Sequence, residues 1–321
     1  MGYNFSLSAI SETGINIIKS TTLNTQTSFT INANGHLLDL SEPCVMGILN
    51  VTPDSFYAGS RRQTASEISA RAKQIIAEGG KIIDIGAFST RPGAAQVTLK
   101  EELERMRMAL DAVREAEPDA ILSIDTFRPE VARMAVTEYG AAIINDVSEG
   151  NSRGAYGGNE TQTYALGKEE TADGYPEMFK TVAELGVAYI LMSVKPDIMS
   201  MMMSFAKKVQ QLRDLGAKDI ILDPGFGFGK TTEQNYRILA QLDRLREIKL
   251  PILVGASRKS MIYKVTGGSA DNALNGTTVI NTIALTKGCA DIIRVHDVKE
   301  CVETIRITEK IKGEELCLSL G

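Results

Sequence analysis

The chain has few of the residues that build several common kinds of site. It holds only two histidines among 321 residues, His36 and His296, so a metal site made of several histidines is excluded. Its four cysteines show no paired spacing, which is typical of small apolar thiols in a reducing compartment rather than of a disulfide framework. The cysteines are Cys44, Cys289, Cys301 and Cys317.

Positive charge and long apolar runs are also scarce. The net charge is -5 and no basic stripe occurs, which argues against a nucleic-acid partner. No run approaches the roughly 18 consecutive apolar residues of a membrane span. The opening MGYNFSLSAISETG lacks the basic and apolar segments of a secretory signal, so we expect a cytoplasmic protein.

Eight short apolar runs rich in β-branched residues recur along the chain. Their continuous rather than alternating apolarity indicates strands buried on both faces, as in a parallel sheet. The runs are residues 45–50, 81–86, 120–125, 141–146, 187–192, 218–223, 251–255 and 290–295.

Helical patterns follow each run. Thr64 and Glu67 suggest a capping box that starts the first helix, and Gly79-Gly80 would end it. Further helices are predicted at 99–116, 129–139, 176–186, 199–216, 232–246, 271–288 and 298–312. Unbroken alternation over about 270 residues predicts an α/β protein, a single (β/α)8 TIM barrel; a doubly wound open sheet is the alternative.

Three segments stand outside the repeating units. Residues 29–40 predict an N-terminal β-hairpin with Asn34-Gly35 at its turn, placed to plug the N-terminal mouth of the barrel. A long insertion, residues 150–175, follows strand four; it is either a surface insertion or a mobile cover near the site. We therefore predict one barrel domain over residues 27–315, preceded by an extension, residues 1–26, of unassigned role.

Polar side chains end most of the predicted strands. In such barrels chemistry is located where strands end at the C-terminal face. Any one of these residues could be a helix N-cap or a turn residue, but the set indicates function. The strand ends are Asn50, Asp84, Asp125, Asn145, Met192, Asp223, Ser257 and Arg294.

The strand ends and the loops after them divide into two chemical groups. Asp125, Asn145, Asp223 and Lys259 suit a flat heterocycle with several N–H donors and a carbonyl. The second group follows strands seven and eight, where phosphate sites often form. It consists of Ser257-Arg258-Lys259, Arg294 and His296.

The segment DPGFGFGKTT, residues 223–232, is not a nucleotide loop. Pro224 stands where a Walker A motif needs its first glycine, and the glycines miss the GxGxxG spacing by one. The glycines instead allow the backbone to approach a ligand, with Phe226 and Phe228 as an apolar wall.

Seven segments in order make the chain resemble the dihydropteroate synthase family over about residues 30 to 312. They are MGILNVTPDSF, STRPGA, SIDTFRPEVA, IINDVSEG, ILDPGFGFGKT, VGASRKS and RVHDVKE. The family condenses 6-hydroxymethyl-7,8-dihydropterin pyrophosphate with 4-aminobenzoate in folate synthesis. The resemblance therefore implies a transferase that uses Mg2+ and is a homodimer.

The resemblance also implies site residues. The expected pterin contacts are Asp125, Asn145, Met192, Asp223, Phe228 and Lys259. The pyrophosphate is expected on Asn50, Thr90, Arg294 and His296, with Asn50 on Mg2+. The 4-aminobenzoate pocket is expected at Phe56, Pro92, Phe228, Lys259 and Ser260. The residues expected to act in catalysis are Asn50, Asp125, Asp223, Lys259, Arg294 and His296.

Two departures from the family pattern and two alternatives remain. Ala58 stands where the family usually has an Asp, and Ser193-Val194 stand where it usually has His-Met. One alternative is a methyltetrahydrofolate-dependent methyltransferase, which would not need the anion site. The other is a non-catalytic pterin or phosphate binder.

Overall fold

The computed structural model describes residues 28–51, 61–87, 97–150 and 174–320. Ten strands lie in these residues, and the eight predicted runs supply the last eight of them. In chain order the strands are β1 (Thr30–Ala33), β2 (His36–Asp39), β3 (Cys44–Asn50), β4 (Ile82–Gly86), β5 (Ile121–Asp125), β6 (Ile143–Asp146), β7 (Ala188–Met192), β8 (Ile220–Asp223), β9 (Leu253–Val254) and β10 (Ile292–Val295).

The strands β3 to β10 form one parallel sheet that curls into a nearly closed barrel. Neighbours along the chain pair from β3 to β8, while β10 pairs with both β3 and β9. A parallel bridge between Leu222 and Ile252 joins the two remaining edges. The predicted fold class, a (β/α)8 barrel, is confirmed.

Helices surround the barrel in the described residues. They are α1 (Arg61–Ala77), α2 (Leu99–Ala116), α3 (Pro129–Tyr139), α4 (Glu177–Leu185), α5 (Ile198–Asp214), α6 (Thr232–Ala240), α7 (Ser260–Thr266), α8 (Leu274–Thr286) and α9 (Val298–Leu320). None of the described helices combines the length and the apolarity that crossing a membrane requires.

The N-terminal hairpin covers one end of the barrel interior. Asn34 and Gly35 have φ of 53° and 88°, as a two-residue hairpin turn requires. Ile31 and Ala33 are buried on one side of β1, together with interior residues such as Met46 and Ile82. Because these residues share one buried cluster, the hairpin closes the N-terminal mouth as predicted. Burial of each such isoleucine stabilises this contact by roughly 1.5–3 kcal/mol.

Helix boundaries differ from the sequence prediction in several places; α9, for example, runs to Leu320, whereas the prediction ended it at residue 312. The capping box at Thr64 is wrong, because α1 already runs from Arg61 and the Thr64 side chain is buried within it. The predicted helix 232–246 divides into α6 and a 310 helix, Leu242–Ile248. The helix α7 was not predicted, because seven residues are too few for a periodic pattern.

Candidate active site

The strand register brings the predicted polar residues to one height at the C-terminal end of the barrel. Asn50 pairs with Gly86, and Gly86 pairs with Asp125 on the next strand. Asp125 in turn pairs with Asn145, so three polar residues lie within four neighbouring strands. Met192 and Asp223 are partners on β7 and β8. The barrel thus places Asn50 and Asp223 at the same end, although they are 173 positions apart in the chain.

Asp84 is the buried centre of a polar network below these residues. It is fully buried, and its Oδ1 accepts a hydrogen bond of 2.6 Å from the Ser123 hydroxyl. Its Oδ2 accepts from Asn145 Nδ2 at 3.1 Å and from Arg294 Nε at 2.6 Å. Three donors therefore compensate the burial of this carboxylate and fix the Asn145 amide.

Arg294 carries the network upward to Asp125. Its Nη2 donates to Asp125 Oδ2 at 2.8 Å, and its side chain is 16% exposed. Burial raises the pKa of Asp125 to about 7; Arg294 opposes this shift and Asp84 adds to it. Two carboxylates thus share one guanidinium, and a proton on Asp125 makes the cluster neutral, in keeping with its raised pKa.

Asp223 and Lys259 lie on the other side of the site. The Gly225 N–H donates to Asp223 Oδ1 at 2.7 Å. Burial raises the pKa of Asp223, and Lys259 opposes this shift. Burial lowers the pKa of Lys259 to about 8, although Asp223 acts against it. Each group therefore opposes the effect of burial on the pKa of the other.

Lys259 lies across the glycine-rich segment. Its Nζ donates to the Phe226 carbonyl at 2.5 Å and lies 4.4 Å from the centre of the Phe228 ring, a cation–π contact. A Cβ at Gly227 would come within 2.9 Å of Lys259 Cδ, so this contact needs glycine. Phe228 therefore lies beside Lys259, whereas Phe226, predicted to share the apolar wall, is fully buried in the hydrophobic core. That the glycines allow the backbone to approach a ligand stays a prediction. Ser260 is half-buried beside Lys259 at the start of α7.

His296 is fixed by its surroundings at the end of β10. The Ser257 hydroxyl lies 3.0 Å from His296 Nδ1 and also accepts from the His296 N–H at 3.2 Å. Arg71 donates to the His296 carbonyl at 2.6 Å. When the Ser257 hydroxyl donates to Nδ1, the neutral imidazole carries its proton on Nε2 and presents it as a donor.

The predicted role of Arg258 in the anion site is wrong. Its guanidinium makes a bidentate ion pair with Asp297, with N–O distances of 2.8 and 2.7 Å. It also donates to the carbonyls of Ala270 and Asp271. Its backbone has a φ of 55°. These contacts tie the loop after β9 to the loop after β10, so Arg258 has a structural task.

Several predicted residues lie outside the described part of the chain. They are Phe56, Thr90 and Pro92, together with Ala58, residues 1–26 and nearly all of the insertion 150–175. That Phe56 and Pro92 border the 4-aminobenzoate and that Thr90 contacts the pyrophosphate stays a prediction.

Two residues make more contacts at the site than the sequence patterns indicate. The sequence predicts Asp84 as a strand end, but β4 ends at Gly86 and Asp84 lies two residues earlier. The signal for a buried partner is an acid inside the apolar run KIIDIG. Lys230 was assigned no role. Its Nζ donates to three backbone carbonyls, those of Ser193, Gly225 and Phe228, at 2.7, 2.9 and 3.1 Å.

Comparisons with known proteins agree with this arrangement. The model of the family described as pterin binding enzyme matches residues 46–296. A dihydropteroate synthase of Escherichia coli strain K12 is 39% identical over 285 residues, which are 86% of this chain and 94% of that protein.

Solved structures give the same result. The dihydropteroate synthase of Xanthomonas albilineans with 4-aminobenzoic acid superposes with a TM-score of 0.75 at 32% identity, covering 89% of this chain and 99% of that one. The Yersinia pestis enzyme in a sulfonamide complex superposes with a TM-score of 0.73 at 34% identity, covering 89% and 100%. The chain therefore belongs to the pterin binding enzyme family and, within it, to the dihydropteroate synthases of folate biosynthesis.

Proposed function

We propose that the chain condenses 6-hydroxymethyl-7,8-dihydropterin pyrophosphate with 4-aminobenzoate, giving 7,8-dihydropteroate and pyrophosphate. The observation that carries the proposal is the meeting of Asp125, Asn145, Asp223 and Lys259 beside Arg294 and His296 at one end of the barrel. Acceptors for a heterocycle thus lie next to cations for a leaving group. The relative from Xanthomonas albilineans has been solved with 4-aminobenzoic acid, which supports the second substrate.

The pterin is bound through the acceptors. In this proposal Asp223 accepts from the ring N–H donors, Asn145 and Asp125 complete the edge, and Lys259 donates to the ring carbonyl. Met192 is fully buried and provides an apolar face, while Phe228 borders the ring. Because these side chains are largely buried, each unsatisfied donor of a wrong ligand would cost free energy, which gives specificity.

The leaving group is bound through Asn50, Arg294 and His296, with Thr90 predicted to join them. The residues present fit a Mg2+ ion that is shared with the pyrophosphate. Asn50 offers an exposed amide at the strand end, and a Cβ at Gly86 would lie 3.7 Å from both Asn50 Oδ1 and Asp125 Oδ2. In the described residues no group of three or more His, Cys, Asp or Glu could hold a metal. Mg2+ typically takes one or two protein oxygens, with phosphate and water oxygens completing its shell.

The reaction then needs little from the protein except positioning and charge. The C–O bond between the pterin methylene and the pyrophosphate breaks, and the electron pair leaves on the pyrophosphate. Bound Mg2+ supplies positive charge to that oxyanion. Arg294 and the Nε2–H of His296 stabilise the same developing charge. The arylamine nitrogen attacks the pterin-stabilised cation, forms the C–N bond and releases its proton to solvent.

Pyrophosphate release with both substrates tests the proposal. Release should require the pterin pyrophosphate, 4-aminobenzoate and Mg2+ together, and dihydropteroate should form in equal amount. A methyltransferase would instead consume methyltetrahydrofolate and release no pyrophosphate. A non-catalytic homologue would bind the pterin in calorimetry without turnover. Either result would overturn the proposal, and an Asp223→Ala variant serves as the matched inactive control.

We also propose a homodimer that forms through α8 and α9. The exposed apolar side chains Val279 and Ile283 lie one turn apart on α8, and Ile307 and Ile311 lie one turn apart on α9, which packs beside it. Such a patch on neighbouring helices is typical of an interface. Light scattering should give twice the chain mass, and Ile283→Lys with Ile307→Lys should give monomers. Leu37→Lys, at the exposed hairpin, is the control; a monomeric parent chain would contradict the proposal.

The proposed location is the cytoplasm. The support is that Cys44, Cys289 and Cys301 are all free and buried. Burial raises the pKa of the Cys44 thiol to about 12, so this thiol stays protonated and unreactive at neutral pH. Fractionation of the producing cell tests this location, and recovery of the chain from a secreted fraction would contradict it.

A further inference from the structure

Lys230 lies at the end of the segment DPGFGFGK and makes no contact with the carboxylates of the site at hydrogen-bond distance in the described residues. Its Nζ donates instead to the carbonyls of Ser193, Gly225 and Phe228 at 2.7, 2.9 and 3.1 Å. An ammonium group has three N–H donors, so all of them are used. A lysine whose donors are all paired with backbone carbonyls is not available for proton transfer. It can affect the site only by fixing the positions of those carbonyls.

The three carbonyls belong to two loops that need such a cation. Ser193 follows β7, and Gly225 and Phe228 follow β8. The loops touch at Gly225, where an added Cβ would come within 2.3 Å of the Ser193 oxygen. Converging carbonyl oxygens repel one another, so the protonated form of Lys230 between them stabilises this approach, although burial lowers the pKa of Lys230 to about 7.

Gly225 connects the cation to the site. Its carbonyl accepts from Lys230, while its N–H donates to Asp223 Oδ1 at 2.7 Å. The Phe228 carbonyl is also held by Lys230, and the Phe228 ring contacts the Lys259 ammonium. Two of the groups assigned to the pterin, Asp223 and Phe228, are thereby oriented through backbone that Lys230 fixes.

We propose that Lys230 is a positioning residue for pterin binding, which sets the orientation of Asp223 by clamping the glycine-rich loop to the loop after β7. This inference rests on the proposed function. It predicts that Lys230 never touches the substrate and yet controls its affinity. It also explains why the segment needs glycine at Gly225, where φ is 64°.

A double-mutant cycle tests the clamp. The probe is 6-hydroxymethyl-7,8-dihydropterin without pyrophosphate, and its affinity is measured by calorimetry. Lys230→Met should weaken binding at least tenfold, whereas Lys207→Met, at an exposed lysine of α5, should stay within twofold. Adding Asp223→Ala to Lys230→Met should weaken binding much less than Asp223→Ala does alone, because the first change has already misplaced Asp223.

Two results would overturn the inference. One is binding by Lys230→Met within threefold of the parent chain. The other is a double variant whose loss of pterin affinity equals the product of the losses in Lys230→Met and Asp223→Ala. Lys230 would then stabilise the fold without acting through Asp223. If Lys230→Met does not fold, Lys230→Arg replaces it in the same cycle, because Arg retains the charge but its planar fork does not match three converging carbonyls. If the parent chain binds no pterin, the proposed function is overturned as well. If the parent chain binds pterin but the losses of affinity in the two single variants multiply in the double variant, only the clamp is overturned.

Discussion

One guanidinium joins two carboxylates at the centre of the barrel: Arg294 Nε lies 2.6 Å from Asp84 Oδ2, and Arg294 Nη2 lies 2.8 Å from Asp125 Oδ2. Asp84 is fully buried, while the Asp125 side chain is 21% exposed. The buried acid therefore anchors Arg294, and the exposed one can exchange it for a ligand.

Removing the anchor should destabilise the protein. Asp84→Asn retains the shape but leaves Arg294 with one carboxylate, so the free energy of unfolding should fall by about 3 kcal/mol. Urea denaturation measures this loss. Ser123→Ala, which removes only one hydrogen bond to Asp84, is the control and should cost about 1 kcal/mol. Parent-like stability of Asp84→Asn would show that the pair is not a structural anchor.

Asp223 should govern pterin affinity. Asp223→Ala leaves ring donors without a buried acceptor, which should cost roughly 2 kcal/mol or more of binding free energy. Calorimetry with a pterin lacking pyrophosphate gives the affinity. Asp214→Ala, at an exposed acid at the end of α5, is the control. A loss below about threefold would mean that Asp223 is structural only.

Asn50 should act on the leaving group and not on recognition of the pterin. Asn50→Ala should lower turnover by about 100-fold, the size expected when one group that stabilises a developing oxyanion is lost. Affinity for the pterin without pyrophosphate should stay within twofold. Asn50→Asp retains an oxygen ligand, so it should need less Mg2+ for half-maximal rate than Asn50→Ala. Equal losses of turnover and pterin affinity in Asn50→Ala would refute the division of the site into two parts.

The pH dependence should follow Asp125 and Lys259. The pKa of Asp125 is raised to about 7, so this acid loses its acceptor form as the pH falls through 7. The pKa of Lys259 is lowered to about 8, so its ammonium is lost as the pH rises through 8. We expect a bell-shaped profile of kcat/KM for the pterin substrate with its maximum between these values. The acid limb should disappear in Asp125→Asn; its persistence would assign that limb to another group.

Ligand order should depend on the two segments predicted to border the 4-aminobenzoate. Phe56 and Pro92 lie in NVTPDSFYAGS and STRPGAA, segments rich in turn-forming residues. Ordering such residues costs roughly 1–2 kcal/mol each, which pyrophosphate and Mg2+ can offset by bridging Asn50 and Thr90. A sulfonamide should therefore bind much more tightly when pterin, pyrophosphate and Mg2+ are present. Equal affinity in calorimetric titrations with and without these ligands would contradict this order of binding.

The order of strands and helices was readable from the chain because it depends on local patterns. Continuous β-branched runs mark strands buried on both faces, and all eight runs became barrel strands. The hairpin turn was equally clear, since Asn-Gly is among the few pairs that adopt positive φ at both positions. Thr64 shows the limit of such patterns, because a Thr-x-x-Glu sequence can also occur inside a helix.

The sequence by itself determined the strands to within a few residues, and hence which polar residues could meet at one face of the barrel. Tertiary structure decided which of them pair. Asp84 and Arg294 are 210 residues apart, and they meet only because β10 closes the sheet beside β3. Arg258 looked equivalent to Arg294 in the chain, yet Asp297 takes it away from the site. No local sequence pattern contains such pairings, because the path of the whole chain decides which groups meet. Pairing is then required, since an unpaired buried charge would cost free energy.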